Sequence, residues 1–90
     1  MTLLRAPHRD PESAALAVAA NRASKCELLR RDAAGAVGGK QLREMAENNA
    51  LRLEADVLQW LAYTAAGKRA SSQTRRALRE SIDRAYGDGN

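Results

Sequence analysis

The stretch from Gln41 to Ala66, QLREMAENNALRLEADVLQWLAYTAA, decides how this 90-residue chain reads. It contains neither Gly nor Pro and holds the only tryptophan, Trp60. Leu42, Ala46, Asn49, Leu53, Asp56, Trp60 and Tyr63 alternate steps of four and three, the seam of a helix packed along another helix. Met45, Val57 and Thr64 widen that seam. On the far side Leu51, Ala55, Leu58, Ala62 and Ala65 form a second, thinner apolar line. A helix that is apolar on two faces is expected to be covered on two faces. Residues 41–66 are therefore expected to form one unbroken central helix.

The segment before it punctuates the chain most clearly. Gly35-Ala36-Val37-Gly38-Gly39 places three glycines in five residues after the basic pair Arg30-Arg31, which reads as a helix end and a reversal. Upstream, Asp10-Pro11-Glu12 is a helix start. Asp10 can cap free amides, Pro11 suits the first helical position, and Glu12 complements the positive end of the dipole. The helix opened there is expected to run to about Ala34, with an inward stripe of Ala15, Val18, Ala19, Arg22, Ala23, Cys26, Leu29 and Ala33. Two long helices joined by so short a connection form an antiparallel helical hairpin. Downstream, Lys68-Arg69-Ala70 leads to the capping pair Ser71-Ser72 and a third helix to Tyr86, whose inward face is Thr74, Leu78, Ile82 and Ala85.

The expected architecture is thus all-α, a single three-helix domain over 10–86 with helices at about 11–34, 40–66 and 72–86. Met1 to Arg9 reads as a flexible lead-in, with Leu3 and Leu4 as a small apolar tack and His8 exposed. Residues 87–90 read as a frayed end. The core stock is poor: 19 of the 40 apolar residues are Ala, with no Phe, one Ile and three Val. An alanine contributes only ~0.8 kcal/mol per buried CH₂-sized group, and a chain this short is marginally stable alone. Dimerisation through the central helix into a larger bundle is expected to supply the missing burial.

Arg22 interrupts the first helix's inward stripe, just as Asn49 and Asp56 interrupt the central seam. These three are the candidates for fixing the register of the helix pair, because a buried charge is tolerated when it is paired and then specifies alignment. Cys26 is the only cysteine, which excludes an internal disulfide and a cysteine-based zinc cluster; among small apolar neighbours it reads as a buried structural thiol. No run approaches the ~20 apolar residues of a membrane span, and the first residues lack a signal peptide's apolar region. A soluble, cytoplasmic protein of bacterial or phage origin is expected.

Chemistry has little to stand on. The single His excludes a Ser/His/Asp or Cys/His set within the helices, and Glu44 with Glu47 and Glu54 near Asp56 sit at spacings typical of solvated helix surfaces. Gly39-Lys40 is no phosphate-binding loop, since the glycine spacing is one residue short, Gln41 stands where Ser or Thr belongs, and no strand precedes it. Neither catalysis nor a metal or other cofactor is expected.

The charge is +4 overall, yet the first 66 residues are nearly balanced, and the excess lies in Lys68, Arg69, Arg75, Arg76, Arg79 and Arg84 against three acids. Trp60 to Gly67, the short link and Ser71-Ser72-Gln73-Thr74-Arg75-Arg76-Ala77-Leu78-Arg79 resemble in outline a helix-turn-helix, over about a fifth of the chain. The resemblance implies Gln73 as a base-edge contact, with Lys68, Arg69, Arg75, Arg76 and Arg79 on phosphates. Arg69 stands where that motif usually has an apolar residue, and the first helix is much too long. Secreted helical hairpins with a Trp-x-Gly turn have a similar length, but the turn here has no Trp. The leading expectation is therefore a non-enzymatic regulatory, adaptor or inhibitor protein that binds another protein through Leu51, Leu58, Ala62 and Ala65. Nucleic-acid binding by the basic third helix ranks second, and no membrane partner is expected.

Overall fold

A computed structural model describes residues 10–87 of the chain. The expectations for residues 1–9 (the lead-in, the Leu3–Leu4 tack, the exposed His8) and for residues 88–90 lie outside the described residues. The described part is all-helical: α1 Pro11–Ala34, α2 Gly39–Tyr63, the single turn α3 Ala65–Lys68, and α4 Ser72–Tyr86. None of these helices is long and apolar enough to cross a membrane.

Local chemistry explains each boundary. Asp10 accepts from the Glu12 amide at 3.2 Å and from the Ser13 hydroxyl at 3.0 Å, and Pro11 opens α1. Gly38 takes the left-handed conformation, φ 83°, that lets the chain turn into α2. Ser71 caps α4 by accepting from the Thr74 amide at 3.1 Å. Gly87, at φ 85°, closes α4 in the left-handed conformation usual for a helix C-terminus.

α1 packs most extensively on α2 and next on α4, while α4 also lies against α2. The core is built from small residues: Ala19, Ala23 and Cys26 of α1 meet Ala46, Ala50, Leu53 and Val57 of α2, with Leu78 and Ala85 from α4. Among the described residues only Leu53, Leu78 and Cys26 are sizeable and fully enclosed. Alanines permit close approach, so the Cys26 thiol reaches across to donate to the Ala46 carbonyl at 3.6 Å. Contacts between α1 and α2 step outward from the turn, from Ala33 beside Gly39, to Cys26 on Ala46, to Arg22 on Asp56.

α4 is fastened to α1 at both ends. Ser71 donates to the Thr74 hydroxyl, which donates to Glu12 at 2.5 Å, joining the start of α4 to the start of α1. At the other end Arg30 donates to the Ala85 carbonyl, a cation at a helix C-terminus where the dipole favours it. Arg84 grips Glu27 through two hydrogen bonds, at 2.7 and 3.2 Å, and Ser24 through a third, at 3.0 Å.

The central helix departs from expectation in two ways. It does not continue through Ala66 but stops at Tyr63, because Thr64 is extended at φ −104°, ψ 151°. The Thr64 hydroxyl donates to the Trp60 carbonyl at 2.6 Å and accepts from the Gly67 amide at 2.9 Å, ending one helix and capping the next. Gly67, expected to end the helix, instead lies inside α3, pressed so closely onto α2 that a Cβ there would sit 1.9 Å from the Trp60 carbonyl oxygen.

The seam is also rotated. Its buried members are Ala46, Ala50, Leu53 and Val57, flanked by half-buried Trp60 and Leu61, while Asp56 and Tyr63 are exposed and Met45 is half-exposed. With α1 on one flank and α4 on the other, the direction facing both runs through Ala50 and Val57.

Candidate interaction surface

The outer line of α2 is exposed. Leu51 and Leu58 are 54% and 58% exposed, and Ala55, Ala62 and Ala65 are exposed as well. Leu51, Ala55, Leu58 and Ala62 follow one another by four, three and four residues and share one helix face. Ala65 falls beyond the break at Thr64, on α3, so the straight part of the line ends at Ala62. The cover expected on this side of the central helix is not provided by α4, which packs against the neighbouring face.

Beside that line a groove of about 540 Å³ separates α2 from α4. Leu58 and Leu61 line it from α2, and Ile82 and Tyr86 from α4. Arg75, Arg79, Asp83 and Glu54 supply its charge. The Tyr86 hydroxyl donates to Glu54 at 2.6 Å and spans the groove at one end. Leu58 thus belongs to both the exposed line and the groove, joining the apolar line to a groove of mixed polar and apolar lining, with Arg75, Arg79 and Asp83 on its α4 side.

The basic residues divide by what they already hold. Arg75 Nε donates to the Ala70 carbonyl at 3.2 Å, and its Nη2 to the carbonyls of Gly67 and Lys68 at 3.2 and 3.5 Å, so Arg75 caps the C-terminal end of α3. Lys68, Arg69, Gln73, Arg76 and Arg79 are exposed and make no side-chain hydrogen bond or ion pair among the described residues. Arg84 is engaged with Glu27, and that hydrogen bond holds the Glu27 carboxyl below its ordinary pKa and the Arg84 guanidinium above its own.

Of the three register candidates, two meet. Arg22 Nη1 donates to Asp56 Oδ2, an ion pair with both side chains nearly half exposed. Asn49 turns away and donates to the Met45 carbonyl of its own helix at 2.7 Å. Next to the Arg22–Asp56 pair an apolar cleft of about 360 Å³ opens between α1 and α2, lined by Ala15, Val18, Leu53 and Trp60 among others.

Several structural contacts had no assignment from sequence. Arg30 and Glu12 read there only as end-of-helix charges, Ala50 and Leu61 belonged to no stripe, and Thr64 passed as a seam residue. The Thr64-Ala-Ala-Gly67 run carries the one local signal that marks a break, a hydroxyl residue able to cap the turn that follows. Cys26 is fully enclosed, and burial raises its pKa, against the smaller opposing pull of Arg30 and Lys25. Among the described residues no three His, Cys, Asp or Glu gather closely enough to hold a metal ion. No protein family, curated protein or solved structure matches the chain.

Proposed function

We propose that this chain is a non-enzymatic regulatory, adaptor or inhibitor protein that acts by binding protein through the outer face of α2. One observation carries the reading. Leu51 and Leu58 stand more than half exposed, in line and seven residues apart, on a chain with only eleven leucines. Isolated exposed leucines are ordinary, whereas a helical line of apolar residues that borders a groove with both apolar and charged lining suits association with another helix. On this reading α1 and α2 act as an antiparallel hairpin, in keeping with the outward-stepping contacts from the Gly35–Gly39 turn. α4 braces the pair along α1, from Glu12 to Arg30, and the mechanism is occlusion or scaffolding rather than turnover.

The test is substitution on that face. Leu51→Glu and Leu58→Glu each place a charge where the reading needs desolvated apolar surface, and neither touches the buried seam. Both are expected to keep native helicity and to abolish association. A chain that associates equally well with either substitution would remove the reading.

Nucleic-acid binding by α4 is the second reading, favoured by the five exposed, unengaged polar and basic residues Lys68, Arg69, Gln73, Arg76 and Arg79. Affinity for duplex or single strands would then fall steeply with salt through counterion release. Arg76→Ala with Arg79→Ala would weaken it without disturbing α3, which Arg75 holds. Salt-independent binding, or none at low ionic strength, would end it.

A further inference from the structure

Resting on the protein-binding reading, the charge layout around the outer face of α2 points to its occupant, and we infer that it is a second copy of this chain, laid antiparallel about a two-fold axis between Glu54 and Ala55. Glu44, Glu47, Leu51, Ala55, Leu58 and Ala62 follow one another by three or four residues and so share one face. That face is graded. Its N-terminal third carries two exposed acids, Glu44 and Glu47, that make no ion pair among the described residues. Its middle is apolar. Its C-terminal third is bordered by Arg79, which shares the groove with Leu58 and likewise holds no partner among the described residues; Asp83, one turn further along α4, lines the groove nearer the middle of α2, beside Glu54.

A surface graded from acidic to basic complements itself when turned end for end, which is the requirement of a two-fold, isologous contact. With the axis between residues 54 and 55, Leu51 of one copy meets Leu58 of the other, and Glu47 meets Ala62. The carboxylate of Glu47 then comes to the border where Arg79 stands. Lys40 and Glu44, also on this face, fall opposite positions 69 and 65, beyond the end of α2 at Tyr63 and so outside the helix–helix contact, which leaves Glu47 as the acid within it. A parallel pairing would instead set Glu44 and Glu47 against their own copies, and like charges suppress such an arrangement. Ala55 and Ala62 let the two backbones approach closely. The second copy would also cover an apolar line of α2 that the described residues leave exposed, adding burial to a core whose sizeable enclosed side chains there are Leu53, Leu78 and Cys26.

The experiment uses the full chain and reads mass by sedimentation equilibrium, then geometry by oxidative cross-linking. The unmodified chain is expected to be dimeric at micromolar concentration. Glu47→Arg or Arg79→Glu alone is expected to weaken the dimer at least about tenfold, and the two together to restore it. Ala55→Cys, within one residue of the axis, is expected to form a disulfide dimer. Leu51→Cys by itself is not, since seven residues of helix place the two copies of position 51 about 10 Å apart along the axis, beyond disulfide reach. Leu51→Cys mixed with Leu58→Cys is expected to cross-link. Far-UV dichroism and Trp60 fluorescence confirm that each variant folds. A chain that stays monomeric at every concentration, or that cross-links through position 51 with itself, overturns the proposal. If the chain is monomeric yet loses a purified binding protein on Leu58→Glu, the second copy is wrong and the protein-binding reading stands. If Leu58→Glu changes neither mass nor binding, both fall.

Discussion

Replacing Gly67 with Ala tests the departure of the structure from a simple rod. The φ of Gly67 is not in the left-handed region, so the residue is required by space and not by torsion. A Cβ at this position would lie 1.9 Å from the Trp60 oxygen, 2.6 Å from its carbonyl carbon and 2.7 Å from the Leu61 Cα. All three are backbone atoms of α2 and cannot swing aside. α3 must therefore lift away from α2, with an overpacking cost of about 1–3 kcal/mol. The Thr64 hydroxyl then loses the Gly67 amide that it caps, a further ~1 kcal/mol. Alanine's better helix propensity returns at most about 1 kcal/mol.

The net loss is roughly 1–3 kcal/mol, from a total that for 90 residues is on the order of 5–14 kcal/mol. At 4–8 °C per kcal/mol for a domain this size, Tm should fall on the order of 5–20 °C. Gly35→Ala is the control: no heavy atom lies within 4 Å of a Cβ there, and φ is −109°. It should be neutral or stabilising by about 0.4–1 kcal/mol. Thermal and urea unfolding, followed by helicity and by the fluorescence of Trp60, whose own carbonyl is the obstacle, measure both. Gly67→Ala within about 0.5 kcal/mol of the parent, inside the ordinary range of a neutral surface change, would refute the close approach of α3 to α2.

Three other outcomes follow from the same contacts. Cys26 should react with thiol reagents only as fast as the fold opens, and quickly in denaturant; equal rates in both would mean it is not enclosed. Because burial raises its pKa, the neutral thiol stabilises the fold fully below the ordinary thiol value, and that contribution is lost as pH climbs toward the raised one. Glu27 titrates in the opposite sense: its hydrogen bond from Arg84 stabilises the fold above the ordinary carboxylate value and is lost as pH falls through the lowered one. Glu27→Gln should flatten the acid limb of the stability curve, and an unchanged limb would dismiss the contact. A double-mutant cycle on Arg22 and Asp56, both nearly half exposed, should give a coupling of no more than about 1 kcal/mol; a value well above that would mean the pair is more enclosed than its exposure indicates.

The helix ends that carry their own chemistry were legible from sequence. Asp10-Pro11, the glycines at 35–39 and Ser71 each satisfy or release backbone groups locally, and local rules suffice to place them. What escaped depends on two elements meeting. The break at Thr64 is local in its hydrogen bonds but is held by the backbone of α3 against that of α2, visible only once Gly67 and Trp60 are adjacent. Arg75, which the helix-turn-helix outline makes a phosphate contact, caps α3 because the turn at 65–68 presents two carbonyls to it, with that of Ala70 beside them. Arg30 is likewise a residue of α1 that serves the end of α4.

The phase of the central helix is the most instructive of these misses, and it bears on what the surface is for. A seam of alternating four and three could be drawn through Asn49 and Asp56 because alanine marks no face strongly: nineteen alanines are compatible with several stripes at once. Three-dimensional packing chose the stripe with Ala46 and Ala50, where two helices come close enough for a cysteine thiol to touch the opposite backbone. That choice turned Asp56 outward to Arg22 and left Leu51 and Leu58 more than half exposed, Leu58 at the rim of the groove beside α4. Leucines were thus left outside while alanines were enclosed, the reverse of what burial alone would select, since a leucine buries several times the apolar area of an alanine. The apolar area that Leu51 and Leu58 leave open to water is the hydrophobic contribution on which the proposed association draws.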